Sequence, residues 1–160
     1  MTITDKAQFK NGKAVEAYLD AYFRGRGWTI WPMSAYDERV RHLGDRYFVR
    51  GNIAMKVEYK SGVQTGHTGN LFLETVSVDT TRTLGWVHTC QADFILYAAL
   101  LNDEILIFRP EKLRAQIGHL KTMFREVKTS HNQNDGYNTY GVLVPLAYAE
   151  QHLAERVIQL

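Results

Sequence analysis

Hydrophobic residues in the first part of the chain follow first a helical and then a strand-like period. In residues 13–23 they recur at spacings of three and four, which predicts an amphipathic helix. Residues 28–31 predict a short strand that Pro32 stops. Residues 46–49 and 53–60 are rich in apolar, aromatic and β-branched side chains, and the Arg-Gly-Asn between them suits a tight turn. We therefore expect a helix, a strand and a β-hairpin in this order.

The remainder of the chain continues to mix the two periods. Further strands are expected at residues 71–76, 94–100, 104–108 and 140–144. A short helix is predicted at residues 88–93, and Pro110 begins a longer helix whose apolar stripe reaches Val127. Pro145 starts a predicted closing helix that turns apolar positions up to Val157 inward. The pattern favours an α/β fold, with a mixed central β-sheet and helices on both faces.

Length and composition indicate one globular domain over residues 1–160, with 45% hydrophobic and 22% charged residues. The single cysteine, Cys90, rules out an internal disulfide and fits a reducing compartment. No N-terminal apolar run resembles a signal peptide, and no stretch approaches the length of a membrane span. We expect a cytoplasmic protein without a membrane partner. Because the net charge is only +2, nucleic-acid binding would have to come from a local basic patch.

The hairpin carries the strongest candidate chemistry. Side chains alternate along a strand, so Glu58 and Lys60 point the same way, and Asp45 stands across the hairpin, close enough to approach Glu58. Carboxylate oxygens suit Mg²⁺, and a neighbouring lysine can orient a water or stabilise charge on a phosphate. The plainer alternative is an exposed cross-strand salt bridge, which contributes under about 1 kcal/mol to stability.

These residues resemble a known family. Asp45, followed across a hairpin by Glu58-Tyr59-Lys60, resembles the D…(D/E)-x-K signature of the PD-(D/E)XK nuclease superfamily. Residues 68–74, Thr-Gly-Asn-Leu-Phe-Leu-Glu, and then residues 89–93, Thr-Cys-Gln-Ala-Asp, resemble the TGN-(hydrophobic)-E…T-x-A-D pattern of its phage-type endonuclease-like members. The order helix, strand, Asp strand, E-x-K strand, strand is similar to that of archaeal Holliday-junction resolvases.

The resemblance covers roughly residues 12–108, and the chain departs from the family pattern at two places. Gly44 stands where the namesake proline would be, and no aspartate follows Lys60. Neither departure removes a presumed metal ligand.

The resemblance implies a restriction-endonuclease-like core and a metal-dependent nuclease that hydrolyses phosphodiester bonds in DNA, branched or structured DNA included. It also implies a phage-encoded origin and action inside a host cell. Asp45, Glu58 and the backbone carbonyl of Tyr59 would hold Mg²⁺ or Mn²⁺, and Lys60 would position the attacking water.

Three further residues are candidates for this site, each with a plainer alternative. In resolvase-like relatives a first-helix glutamate joins the metal site, which makes Glu16 a candidate; the alternative is a solvated helix glutamate. Glu74 would complete the metal shell or hold one of the metal ligands in place, or else face away into structure. Gln91 would reach the active site from the start of a helix, or else serve as a helix-cap or surface amide.

Two basic groups are candidate contacts to the nucleic acid. Residues 34–43 form a polar loop ahead of the acidic site that contains Arg39 and Arg41, whose guanidinium groups match phosphate oxygens. On the long predicted helix, basic residues share a face beside the apolar stripe: Arg114, Lys121, Arg125 and Lys128. The alternative for both groups is an ordinary solvated surface.

Two other functions remain open on sequence grounds. One is a non-catalytic nucleic-acid-binding or inhibitor protein on the same fold, and the other is an RNA endonuclease. Cutting both strands of a duplex is most easily done by a two-fold homodimer, which makes self-association an expectation. The glycine-rich residues 61–70 predict a mobile loop at the rim of the site.

Overall fold

The computed structural model describes residues 12–33, 41–130 and 136–160, and it combines helices with two β-sheets. The α-helices are α1 (Gly12–Arg24), α2 (Val63–Thr68), α3 (Trp86–Thr89), α4 (Pro110–Met123) and α5 (Leu146–Tyr148). The strands are β1 (Thr29–Pro32), β2 (Arg46–Arg50), β3 (Ile53–Ser61), β4 (Asn70–Val78), β5 (Thr83–Leu84), β6 (Phe94–Ala99), β7 (Glu104–Phe108), β8 (Glu126–Ser130), β9 (Asn138–Pro145) and β10 (Arg156–Gln159). Short 3₁₀ turns (Arg41–Leu43, Leu100–Asn102) and a π-helical turn (Ala149–Leu153) complete the description.

The first sheet has six strands in the order β1-β2-β3-β6-β7-β10. Strands β2 and β3 form the predicted hairpin, β1 adds to it in an antiparallel meander, and β6 then pairs with β3 in parallel. Helix α1 covers one face of the meander, because the apolar stripe of Val15, Leu19 and Phe23 packs against Phe48 and Tyr59. The predicted α/β class, a mixed central sheet flanked by helices, is confirmed.

The second sheet has four antiparallel strands in the order β5-β4-β9-β8. The buried face of this second sheet packs, together with helix α4, against strands β6 and β7 of the first sheet. The hydrophobic cluster between them includes Leu71, Leu73, Val142, Ile95 and Leu113. The expectation that residues 71–76 continue the central sheet is therefore wrong. Strand β4 pairs with β5 and β9, and the place beside β3 is taken by β6.

The helix predicted to run from Pro110 to Val127 ends earlier than expected. Helix α4 stops at Met123, because Phe124 has an extended backbone (φ −124°, ψ 157°). Val127 lies in β8 opposite Gly141 of β9. Apolar residues at positions 124 and 127 fit a helical period, but pairing with β9 satisfies the backbone groups of this segment. The shared helix face predicted for Arg125 and Lys128 is therefore wrong.

Three other local expectations are also corrected. The predicted mobile loop contains helix α2, which ends where Gly69 adopts a left-handed backbone (φ 69°). The short helix expected at residues 88–93 lies at Trp86–Thr89. The predicted closing helix gives way after Leu153, and Val157 lies in β10 opposite Leu106. No helix in the described parts of the chain is long and apolar enough to cross a membrane.

Gly44 occupies a position that requires glycine. Its φ is +124°, a region that side chains rarely tolerate, and a Cβ there would lie 2.8 Å from the carbonyl oxygen of Val57. Proline, with φ fixed near −65°, does not fit this backbone. The close approach between the chain ahead of β2 and strand β3 therefore excludes proline at position 44.

Candidate active site

Strand pairing brings Asp45 to the E-x-K segment. Arg46 lies opposite Val57 in the antiparallel pair, and Asp45 directly precedes Arg46. The Asp45 N–H donates at 2.9 Å to the carbonyl of Val57, which is also the register partner of Arg46. In return, the Tyr59 N–H donates to Asp45 Oδ2 at 2.8 Å. Asp45 and Glu58 line the same groove, and the charge of Asp45 is near enough to raise the pKa of Glu58.

Glu58 and Lys60 share a strand face and form an ion pair. Lys60 Nζ lies 2.5 Å from Glu58 Oε1, and the side chains are only 13% (Glu58) and 27% (Lys60) exposed. Burial raises the pKa of Glu58 and the nearby charge of Asp45 raises it further, whereas Lys60 lowers it; the net pKa lies above the ordinary glutamate value. The pair is therefore not the exposed surface salt bridge of the plainer alternative.

Lys60 is held as a cation. Burial by itself lowers the pKa of Lys60, but the charge and hydrogen bond of Glu58 and the charge of Asp45 outweigh it, so the pKa stands above the ordinary lysine value. The ammonium also lies 5.8 Å from the centre of the Trp86 ring, within the range of a cation–π contact. Lys60 is consequently a proton-bearing hydrogen-bond donor at neutral pH and not a free base.

These three side chains line an open groove of about 1290 Å³. The groove runs past helix α2 and over strands of the second sheet. Its polar lining also includes His42, Thr68, Asn70, Glu74, Thr83 and Thr139. A groove of this size, open to solvent and carrying two carboxylates and one ammonium, can admit an extended polar chain.

Helix α1 contributes a charged network beside the site, of which the sequence pattern indicated only Glu16. Arg46 Nη2 lies 2.9 Å from Glu16 Oε2, and Arg46 Nε lies 3.0 Å from Asp20 Oδ1. The Tyr59 hydroxyl donates to the same Asp20 oxygen at 2.9 Å. Glu16 is therefore bound to an arginine at the edge of the site, although its charge is near enough to raise the pKa of Glu58.

Asp20 and Arg46 were missed, and a signal for each is present in the sequence. Asp20 follows Glu16 by one helical turn, so the two carboxylates lie on the same face of α1. Arg46 follows Asp45 directly, and strand alternation turns it to the opposite face, toward that helix. Combining the two periods would have placed Arg46 between Glu16 and Asp20.

Glu74 and Gln91 lie in different surroundings. Glu74 lines the groove and its Oε1 accepts a hydrogen bond from the Trp86 N–H at 3.4 Å, which links it to the start of α3. Gln91 is exposed, and its backbone N–H donates to the His42 carbonyl at 2.8 Å. Glu74 thus has a structural contact and also a place in the groove, and its role in the site stays a prediction, whereas the exposure of Gln91 agrees with a surface amide.

Two residues of the motif segments, Asn70 and Asp93, make hydrogen bonds that hold the backbone in place. Asn70 caps the end of α2, since its backbone N–H donates to the Thr68 hydroxyl and its side-chain amide to the Thr68 carbonyl. Asp93 joins β6 to β3, because its carboxylate accepts from the Lys56 N–H at 2.7 Å and its own N–H donates to the Lys56 carbonyl.

The predicted nucleic-acid contacts are dispersed. Arg39 lies outside the described residues, and Arg41 begins a 3₁₀ turn. Arg114 donates to the Cys90 carbonyl at 2.6 Å, and Lys121 lies 2.9 Å from Glu126. Arg125 and Lys128 are beyond the helix end. The continuous basic ridge that the sequence suggested is not formed by these residues.

The donor set at the groove fits a hard divalent cation with few protein ligands. Within residues 12–33, 41–130 and 136–160, no three His, Cys, Asp or Glu side chains form a group that could hold a metal ion. Mg²⁺, however, typically takes one or two carboxylates and keeps several waters. Asp45 and Glu58 supply two carboxylates against one ammonium, and the backbone of Tyr59 lies between Glu58 and Lys60. The assignment of Asp45, Glu58 and the Tyr59 carbonyl as metal ligands stays a prediction.

Comparison with known proteins adds no assignment, since no family model, curated protein or solved structure matches this chain.

Proposed function

We propose that this protein is a Mg²⁺- or Mn²⁺-dependent endonuclease that hydrolyses phosphodiester bonds in DNA. The observation that carries the proposal is the convergence of Asp45, Glu58 and Lys60 on one groove, with Asp45 fixed by the Tyr59 N–H and Lys60 fixed by Glu58. Two carboxylates and a lysine in a strand hairpin are the parts that phosphodiester hydrolysis with a bound metal requires.

Asp45 and Glu58 would hold the metal ion, with the backbone carbonyl of Tyr59 as a third oxygen ligand. The bound ion would supply Lewis-acid stabilisation of the phosphate and of the leaving oxygen. Asp45 and Glu58 carry two negative charges beside the single positive charge of Lys60, and a cation would neutralise the remainder.

Lys60 would orient the attacking water and stabilise charge on the phosphate. Because its pKa is raised, Lys60 carries its proton and acts as a donor. The water oxygen forms a bond to phosphorus as the bond to the leaving sugar oxygen breaks, and the proton that the water loses passes through solvent in the open groove to the leaving oxygen. Glu58 keeps the ammonium in place through their 2.5 Å contact.

The order of elements supports the same proposal. Helix α1 precedes the meander β1-β2-β3, Asp45 stands at the start of the second strand, and the E-x-K segment ends the third. This is the order helix, strand, Asp strand, E-x-K strand that the resemblance predicts. The next strand of the same sheet is β6, since residues 70–78 form an insertion in a second sheet.

A cleavage assay tests the proposal. The protein is incubated with linear duplex, branched DNA, single-stranded DNA and RNA of matched sequence, with Mg²⁺, with Mn²⁺ and with chelator. Metal-dependent cleavage of DNA is expected, with Glu58→Gln inactive and the exposed helix variant Glu111→Gln as active as the parent. Cleavage of RNA alone would identify RNA, and not DNA, as the substrate. DNA binding without cleavage in the presence of either metal would favour the non-catalytic alternative.

A further inference from the structure

Two large aromatic side chains stand exposed beside the candidate site. Trp31 on β1 is 61% exposed and Tyr47 on β2 is 40% exposed. They are direct register partners in the antiparallel β1–β2 pair, so their side chains are neighbours on one face of the sheet. Single exposed hydrophobic residues are common on protein surfaces, but an adjacent exposed aromatic pair on a sheet is an unusual feature.

A lysine completes the row. Tyr47 is the register partner of Lys56 on β3, so Trp31, Tyr47 and Lys56 cross three neighbouring strands on one face. Strands lie about 4.8 Å apart, which makes the row roughly 10 Å wide. We call these three residues the aromatic platform. Helix α1 leaves this face uncovered, because it packs on the opposite side, against Phe48 and its neighbours.

The aromatic platform is continuous with the proposed catalytic residues. Lys56, Glu58 and Lys60 alternate onto the same face of β3, and two residues along a strand span about 7 Å. Asp45 likewise precedes Tyr47 by two residues. The chain leaving β1 is tied to this point, because the Met33 N–H donates to the Asp45 carbonyl at 2.9 Å. A nucleotide on the platform would thus lie next to a phosphate at Glu58.

We propose that the aromatic platform binds the unpaired bases of a DNA strand next to the scissile phosphate, an inference that rests on the proposed nuclease function. Exposed aromatic rings can stack on a base only if the face of that base is not already covered within a duplex. Lys56 supplies a positive charge for the strand's phosphates. The substrate class is therefore single-stranded DNA, or DNA with an unpaired segment at the cut.

Metal-free binding measurements test the platform without requiring cleavage. Fluorescence anisotropy compares a short oligothymidylate with a blunt hairpin duplex for the parent, Trp31→Ala and Tyr47→Ala, all in chelator. Stacking contributes about 1–3 kcal/mol per base, so each variant should lose roughly fivefold to a hundredfold in single-strand affinity. Duplex affinity should change by less than about twofold, since its bases are already stacked.

Matched variants separate stacking from folding effects. Ile53 is 52% exposed on the same hairpin but alternates to the opposite face, so Ile53→Ala should bind as the parent does. Trp31→Phe and Tyr47→Phe keep an aromatic ring and should retain most of the single-strand affinity. These replacements test the inference even if the alanine variants fold poorly.

The results that would overturn the platform differ from those that would overturn the nuclease. Unchanged oligothymidylate binding, or an equal loss for oligothymidylate and duplex, rules the platform out even if the protein cuts DNA. A dimer of the parent that Trp31→Ala converts to monomer, by sedimentation, would identify this face as an interface between two copies instead. Selective single-strand loss in a protein that cuts nothing would retain the platform and remove the catalytic proposal.

Discussion

Asp45 and Tyr59 are joined by a 2.8 Å hydrogen bond in which the Tyr59 backbone N–H donates to the Asp45 carboxylate. Tyr59 lies between Glu58 and Lys60, so this bond fixes the carboxylate at the centre of the E-x-K segment. It uses a main-chain donor, whose position depends on the sheet and not on a side-chain rotamer. The position of Asp45 is therefore determined by the hairpin itself.

Replacing Asp45 by asparagine should separate its charge from its hydrogen bond. Asp45→Asn can still accept from the Tyr59 N–H, so the free energy of unfolding should stay within about 0.5 kcal/mol of the parent. Mn²⁺ affinity, measured by calorimetry, and cleavage should both be lost. Asp45→Ala should also lower stability, by about 1 kcal/mol, because the N–H loses its acceptor. Metal binding by Asp45→Asn at the parent's affinity would contradict the ligand assignment.

Lys60 should affect turnover and leave metal binding in place. Lys60→Met keeps much of the aliphatic stem but removes the ammonium, and we expect cleavage to fall about 100-fold, as for other lost transition-state donors. Mn²⁺ should bind at least as tightly, because Glu58 loses its competing cation. Lys112→Met, on helix α4 and paired with Glu155, is the control. Equal cleavage rates in Lys60→Met and the control would move the catalytic role to another residue.

The pKa of Glu58 should respond in opposite directions to its two neighbours. The charge of Asp45 raises this pKa and that of Lys60 lowers it, so Asp45→Asn should shift the pKa down and Lys60→Met should shift it up. Carbon NMR of the Glu58 carboxyl in metal-free protein measures both shifts. Two shifts of the same sign would show that the charges of Asp45 and Lys60 do not act on the Glu58 pKa as the contacts imply.

The raised pKa also gives Glu58 a defined pH signature in stability. The folded protein holds the Glu58 proton more tightly than the unfolded chain does. The stabilising contribution of Glu58 is therefore complete below the unfolded pKa of about 4.3 and is lost as pH rises through the folded pKa. Urea unfolding of the parent and Glu58→Gln across this pH range measures the contribution. Cleavage should show the reverse dependence, rising with pH across the same window, because only the ionised carboxylate can hold a metal.

Gly44 should not tolerate a side chain. Gly44→Ala combines a φ of +124° with a Cβ 2.8 Å from the Val57 carbonyl oxygen, and we expect a loss of about 1–3 kcal/mol in the free energy of unfolding. Gly118, inside helix α4, is the matched position, because a Cβ added there would meet no atom within 4 Å. Gly118→Ala should raise stability by about 0.5–1 kcal/mol. Urea unfolding of both variants measures these opposite signs.

The sequence by itself determined the hairpin and the residues that meet on it. Strand alternation and a tight turn are local properties, so they placed Glu58 and Lys60 on one face and Asp45 across the hairpin from them. The stripe of α1 was equally clear, since three and four residues are the period of any helix that buries one face. For these elements, short-range geometry and long-range packing favour the same structure.

Tertiary structure decided the elements for which the local pattern was ambiguous. Apolar residues at positions 124 and 127 fit a helical period, but pairing of Val127 with Gly141 of β9 placed this segment in a strand. The division into two sheets depended on the pairing of β6 with β3. These two segments are far apart in the chain, and the local sequence of neither one specifies the other as its partner. The contacts of Arg46 with Glu16 and Asp20 arise in the same way, because their ion pairs join a helix and a strand that meet only in the folded chain.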